Sequence, residues 1–134
     1  MKTVLFACIH NAGRSQMSAA LFNQAADSSK AKAISAGTQP GVRVHPEVVE
    51  VMKEAGIDLG SEKPKYLSEE LASGANLLIT MGCGDACPYV PGLEIRDWAL
   101  ADPKGLPIER VREIRDQIRA RVIALIDERG WNRS

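Results

Sequence analysis

The sequence predicts an α/β fold: a doubly wound, three-layer sandwich around a four-stranded parallel sheet, formed by one domain over residues 1–134. Three observations carry this expectation. Short apolar runs alternate with segments of helical periodicity along the chain, a pattern that calls for right-handed crossovers between parallel strands. The segment from Asn76 to Met81 is short and continuously apolar, as expected of a strand covered on both faces. The chemically most distinctive stretch directly follows the first apolar run, at the strand edge where such sheets bind ligands.

The first strand spans Lys2 to Cys8 and contains Val4-Leu5-Phe6-Ala7. A helix follows from Arg14 to Ala26, with Met17, Ala20, Leu21 and Ala25 at helical spacing. The second strand, Ala31 to Ser35, ends in Gly37, which opens a loop carrying Pro40 and Gly41. Pro46 starts the next helix, because the first turn has no use for its missing N–H, and Gly56 stops it; Val48, Val49, Met52 and Ala55 face inward. Ser68 is suited to cap a short helix whose first-turn Glu69 and Glu70 complement the dipole. The third strand is Asn76 to Met81 and the fourth Leu93 to Trp98. The last helix, Pro107 to Arg129, aligns Ile108, Val111, Ile118, Val122 and Leu125 on one stripe, leaving its arginines as a solvated face. Tyr66, Trp98 and Trp131 read as packing residues.

Composition narrows the function classes. Seventeen basic and seventeen acidic residues cancel, so charge suggests neither a nucleic-acid partner nor a membrane surface. No apolar run approaches the roughly 18–20 residues of a membrane span, and the first residues read as a strand and not as a signal peptide. Three cysteines suit reactive thiols of a reducing compartment better than a disulfide framework, so a cytoplasmic location is expected.

The functional signal is Cys8-Ile9-His10-Asn11-Ala12-Gly13-Arg14-Ser15. Five residues between a cysteine and an arginine let the backbone curl so that the N–H groups of Ile9 to Ser15 converge on one centre. That nest, continued by the first helical turn, binds a tetrahedral oxyanion. Arg14 adds a planar fork able to grip two oxygens. Cys8 lies at the bottom of the same positive field, which lowers a thiol pKa from about 8.5 to roughly 3.5–7.5 and makes it a nucleophile. Ser15 can donate to the thiolate, and Gly13 supplies backbone freedom. Asn11 shapes the loop, tolerating a left-handed backbone, and the His10 side chain has no assigned reaction role. Cys83, after strand three, and Asp102, after strand four, fall on the same sheet edge as this loop.

These residues, with Gln16-Met17, Ser35-Ala36-Gly37-Thr38 and Asp97-Trp98-Ala99-Leu100-Ala101-Asp102-Pro103, resemble the low-molecular-weight protein tyrosine phosphatase family, and within it the arsenate reductases. The resemblance covers nearly the whole chain. Gln16-Met17 in place of the phosphatases' proline, and Thr80-Met81-Gly82-Cys83-Gly84-Asp85-Ala86-Cys87-Pro88, are similar to the reductase form; Lys104-Gly105 replaces the aromatic platform of the phosphatases. The resemblance implies arsenate as substrate, Cys8 as nucleophile, Arg14 as oxyanion clamp and Asp102 as general acid, with Pro103 fixing its loop. It further implies that Cys83 attacks the Cys8 adduct and Cys87 then attacks Cys83, leaving a Cys83–Cys87 disulfide. No tightly bound cofactor is implied, only an external thiol reductant.

The three-residue gap between Cys83 and Cys87 is shorter than in the familiar thioredoxin-coupled reductases. Cys-x-His-Asn-Ala-Gly-Arg-Ser also resembles reductases served by mycothiol with mycoredoxin, so thioredoxin and mycothiol both stand as candidate reductants. Two cysteines beside the correct loop favour the internal relay. A metal site is not expected, because Cys8 and His10 would have to abandon the oxyanion loop to complete four ligands. A phosphatase hydrolysing phosphate monoesters through a Cys8 phospho-intermediate is the alternative, and a non-catalytic arsenite sensor a third reading. A monomer is expected by analogy of fold.

Overall fold

The computed structural model describes residues 1–81 and 90–133. Its elements are β1 (Lys2–Cys8), α1 (Arg14–Ala25), β2 (Ala31–Gly37), α2 (Pro46–Glu54), α3 (Glu69–Ser73), β3 (Leu77–Thr80), β4 (Glu94–Asp97) and α4 (Ile108–Arg129). All strand pairs are parallel, in the order β2-β1-β3-β4, so the expected four-stranded parallel sheet is present.

β1 lies inside the sheet, and every residue from Val4 to Cys8 is buried. Strand alternation separates its side chains onto two faces. Val4, Phe6 and Cys8 join Met17, Leu21 and Phe22 of α1, Val48, Val51 and Met52 of α2, and Val111, Ile114 and Ile118 of α4. Leu5 and Ala7 join Ala36, Leu67, Leu78 and Ala72 of α3 on the opposite side. The result is helix, sheet, helix.

Several differences from the sequence reading have nonlocal causes. β2 continues to Gly37 because β1 continues beside it, Cys8 pairing with Gly37. The apolar stripe expected on α1 omits Phe22, which is fully buried and meets Phe6 edge-on at 6.1 Å between centroids. Burying such a side chain contributes about 1.5–3 kcal/mol. The first turns of α1 are buried from Arg14 to Ala19, so no polar face exists there to mark the helical period. On α2, Val51 is buried where Val49 and Ala55 are only partly so. Asn76 stands outside β3, its Oδ1 accepting from the Thr3 N–H at 2.8 Å. Ser68 caps α3 as expected, its Oγ accepting from the Leu71 N–H at 3.0 Å.

Trp98 packs on Phe6 and Trp131 on Phe22, but Tyr66 is 66 % exposed and is not a packing residue. Nor are the α4 arginines merely solvated. Arg115 donates to the Val51 carbonyl and to Glu54, both at 2.8 Å, and Arg112 grips both oxygens of the same carboxylate. These guanidinium hydrogen bonds hold the Glu54 carboxyl at a pKa of about 2. Arg129 of α4 likewise pairs with Glu94 of β4, and Arg96 with Glu128.

Candidate active site

β1 ends at Cys8 and α1 begins at Arg14, so five residues turn between them at the carboxyl edge of the sheet. From here the chain first continues to β2 on one side of β1 and later to β3 on the other, which makes this edge the switch point where doubly wound sheets open a crevice. The loop sits close on β2. A Cβ at Gly37 would lie 2.5 Å from the Ile9 carbonyl oxygen and 2.8 Å from the Asn11 nitrogen, so only glycine fits there. Gly37 also donates to the Lys65 carbonyl and accepts from the Leu67 N–H, both at 2.8 Å, tying segment 63–67 beneath the loop.

Asn11 has φ 51° and is completely buried. Its Oδ1 accepts from the Lys65 backbone N–H at 2.9 Å and from Gln16 Nε2 at 3.1 Å. A backbone N–H can only donate, so it fixes which end of the amide is oxygen. Asn11 Nδ2 therefore donates to Ser15 Oγ, 2.7 Å away. With Cys8 as a thiolate, which can only accept, the single Ser15 hydroxyl proton is directed at Cys8 Sγ at 2.8 Å. The Asn11 N–H donates to the same sulfur at 3.3 Å. Both donors favour a sulfur that carries negative charge.

Around this sulfur the loop presents donors. Among the described residues, the backbone N–H groups of His10, Ala12, Gly13, Arg14 and Ser15 have no protein acceptor. Cys8 itself is 3 % exposed. Arg14 is buried, donates through Nη1 to the Leu100 carbonyl at 3.2 Å, and holds Nη2 3.8 Å from Asp102 Oδ2. Asp102 is half-exposed, and its Oδ1 accepts from the Lys104 N–H at 3.0 Å. The loop arginine, the cysteine loop and the carboxylate expected after strand four are thus brought together. Ile9 lies in the same loop, its carbonyl accepting from the Gln39 N–H at 2.8 Å. Cys83 and Cys87 lie outside the described residues.

Gly13 has a further reason to be glycine besides the backbone freedom expected of it. A Cβ there would stand 2.7 Å from Pro103 Cγ and 3.5 Å from His45 Cδ2, so its missing side chain gives room for the Asp102-Pro103 loop to close on the cysteine loop. The His10 ring pairs through Nδ1 with the Gln39 carbonyl at 3.0 Å and so serves the neighbouring loop. Two contributors escape the sequence reading, the backbone N–H of Lys65 and His45, while Gln16, expected only as a mark of the reductase form, also holds Asn11 through its amide. The half-buried His45 immediately precedes α2, and its pKa is lowered by burial against an opposing pull from Asp102. For His45 the sequence offered a signal, a polar residue immediately before a helix-starting proline. For Lys65 it offered none.

Residues 3–132 match the family described as low molecular weight phosphotyrosine protein phosphatase. A provisionally named arsenate reductase of Halobacterium salinarum is 42 % identical over 127 residues, 92 % of this chain and 89 % of its own. The glutaredoxin arsenate reductase of Synechocystis is 34 % identical, covering 94 % of this chain and 97 % of its own. Among solved structures, the thioredoxin-dependent arsenate reductase of Corynebacterium glutamicum superposes with a TM-score of 0.83 at 38 % identity, over 96 % of this chain and 61 % of that one.

Proposed function

We infer that this chain, which belongs to the low molecular weight phosphotyrosine protein phosphatase family, is an arsenate reductase that converts arsenate to arsenite. The observation that carries the mechanism is the Cys8 sulfur held by Ser15 and Asn11 beneath a ring of unpartnered N–H groups, with Arg14 and Asp102 alongside. Arsenate takes the free N–H groups of His10 and of Ala12 to Ser15 and the Arg14 fork; the Asn11 N–H, expected among the oxyanion donors, is turned to Cys8 Sγ instead. Cys8 Sγ attacks arsenic, an S–As bond forms, and one As–O bond breaks. Asp102, protonated at that moment, gives its proton so that the oxygen leaves as water.

The reduction proper needs a second sulfur. Cys83, as a thiolate, attacks Cys8 Sγ; an S–S bond forms and the S–As bond breaks with its electron pair on arsenic, releasing arsenite. Cys87 then attacks Cys83, restores the Cys8 thiolate and leaves a Cys83–Cys87 disulfide. An external thiol reductant returns this disulfide to two thiols. The Corynebacterium relative supports thioredoxin in that role, and the Synechocystis one supports glutaredoxin; mycothiol with mycoredoxin would instead attack the Cys8 adduct directly. No described helix is long and apolar enough to cross a membrane. A thiol relay suits the reducing cytoplasm, where we place this enzyme.

The test supplies the purified protein in turn with thioredoxin plus its reductase, glutaredoxin plus glutathione, and mycothiol plus mycoredoxin, and follows arsenite. Turnover with thioredoxin that is lost in Cys83→Ser and Cys87→Ser is the expected result. Turnover only with a small thiol, unaffected by either substitution, would overturn the internal relay. The family also holds phosphatases with the same first step, so efficient hydrolysis of aryl phosphate without arsenite under any reductant would assign a hydrolase instead.

A further inference from the structure

We propose that Gln16 is a positioning residue for the nucleophile: its amide clamps Asn11 in the one orientation that aims the Ser15 proton at Cys8. The inference rests on the reading of Cys8 as nucleophile and goes beyond it, because Gln16 touches neither the sulfur nor the oxyanion loop's open side.

The geometry runs in one line. Gln16 Nε2 donates to Asn11 Oδ1 at 3.1 Å and approaches the Lys63 carbonyl at 3.4 Å. The Lys65 N–H donates to the same Oδ1 at 2.9 Å. With two donors on its oxygen, Asn11 has only Nδ2 to offer Ser15, and it does so at 2.7 Å. Facing a Cys8 thiolate, which can only accept, Ser15 Oγ donates to Sγ at 2.8 Å. If the Asn11 amide turned over, its oxygen would face Ser15 Oγ and take that proton, and the sulfur would lose its hydroxyl donor. Gln16 thus doubles the hold on an amide whose orientation decides which way a buried proton points. All four residues are at most 4 % exposed, so the chain of donors is set by protein groups. Gln16 also joins the cysteine loop to segment 63–65, which reaches the site only through backbone groups.

The test compares Gln16→Met, which keeps the length and loses the N–H, with Gln16→Glu, which keeps the shape and presents an acceptor to Asn11 Oδ1. In both, the rate of Cys8 alkylation by iodoacetamide is followed by peptide mass spectrometry across pH 4 to pH 10, with folding checked by circular dichroism. We expect the pH of half-maximal alkylation to rise in both variants by about half to one unit, the worth of one net hydrogen bond, with the plateau rate at high pH little changed. Arsenite formation should fall in kcat with KM for arsenate nearly constant. A loosened loop would expose Cys8 and raise the plateau rate. That outcome, or an unchanged profile in both folded variants, would overturn the proposal. Alkylation does not require arsenate, so a parent protein that fails to reduce arsenate but shows the alkylation effect would remove the reductase reading and leave Gln16 in its role.

Discussion

The two halves of the catalytic apparatus are built to different standards of rigidity. Cys8, Asn11 and Ser15 are buried, and their side chains form one hydrogen-bonded line anchored at the Lys65 backbone N–H. Asp102 stands on the other side of the site with its side chain 45 % exposed, 3.8 Å from Arg14 and hydrogen-bonded only to its own turn at Lys104. What joins the halves is Pro103 against the bare Cα of Gly13 and the Arg14 guanidinium, which donates to the Leu100 carbonyl at 3.2 Å. The nucleophile is therefore set before substrate arrives, whereas the acid is delivered by a loop with little else to hold it. A nucleophile that must stay charged in a buried place needs fixed dipoles; an acid that must exchange its proton every cycle needs access to water.

Removing the acid should give the largest separation of the two. Asp102→Asn is expected to cut kcat for arsenite formation by about 10²–10⁴, while stability and the alkylation rate of Cys8 remain those of the parent. A change in Cys8 reactivity of comparable size would show that the halves are not independent. Next in size is a pair of alanine substitutions at the two glycines. Gly37→Ala drives a Cβ into backbone atoms of the loop at 2.5 and 2.8 Å, so both stability, by about 1–3 kcal/mol, and activity, by about 10²-fold, should fall. Gly13→Ala meets only the Pro103 ring and the edge of His45, both of which belong to elements able to shift. It should lower kcat with a smaller loss of stability, and thermal denaturation beside steady-state kinetics separates the two patterns.

The smallest effect lies away from the site. The Glu54 carboxyl is held at about 2 by Arg112 and Arg115, and Glu94 and Glu128 are lowered by Arg129 and Arg96 respectively. A carboxylate whose pKa is lower in the folded than in the unfolded chain adds stability above the unfolded value and loses it as pH falls through the folded one. The melting temperature should accordingly drop between pH 5 and pH 2, and less steeply in Glu54→Gln. High salt should shrink the difference, since these pairs are exposed. A melting temperature flat across that range would remove the ion pairs from the account of how α4 is held.

Much of the frame was legible because it is written in local pattern. The apolar run ending in Cys8, the helix-starting Pro46, the Ser68 cap and the left-handed Asn11 each follow from a short window of residues. What escaped depends on contacts across the chain. Phe22 is core because Phe6 and Trp131 meet it, and β2 reaches Gly37 because Cys8 lies alongside. The donor that fixes Asn11 comes from Lys65, 54 residues away, and is a backbone group that no side-chain motif reports. Gly13 was singled out for backbone freedom, and its second role, leaving space for Pro103, depends on a loop 90 residues away.

The most direct test of the account is a single turnover without any external thiol. Fully reduced protein is mixed with one equivalent of arsenate, and arsenite and cysteine pairing are measured together. The account predicts close to one arsenite per chain and a disulfide joining Cys83 to Cys87, with neither in Cys8→Ser. No arsenite from the reduced parent, beside undiminished hydrolysis of an aryl phosphate, would contradict it.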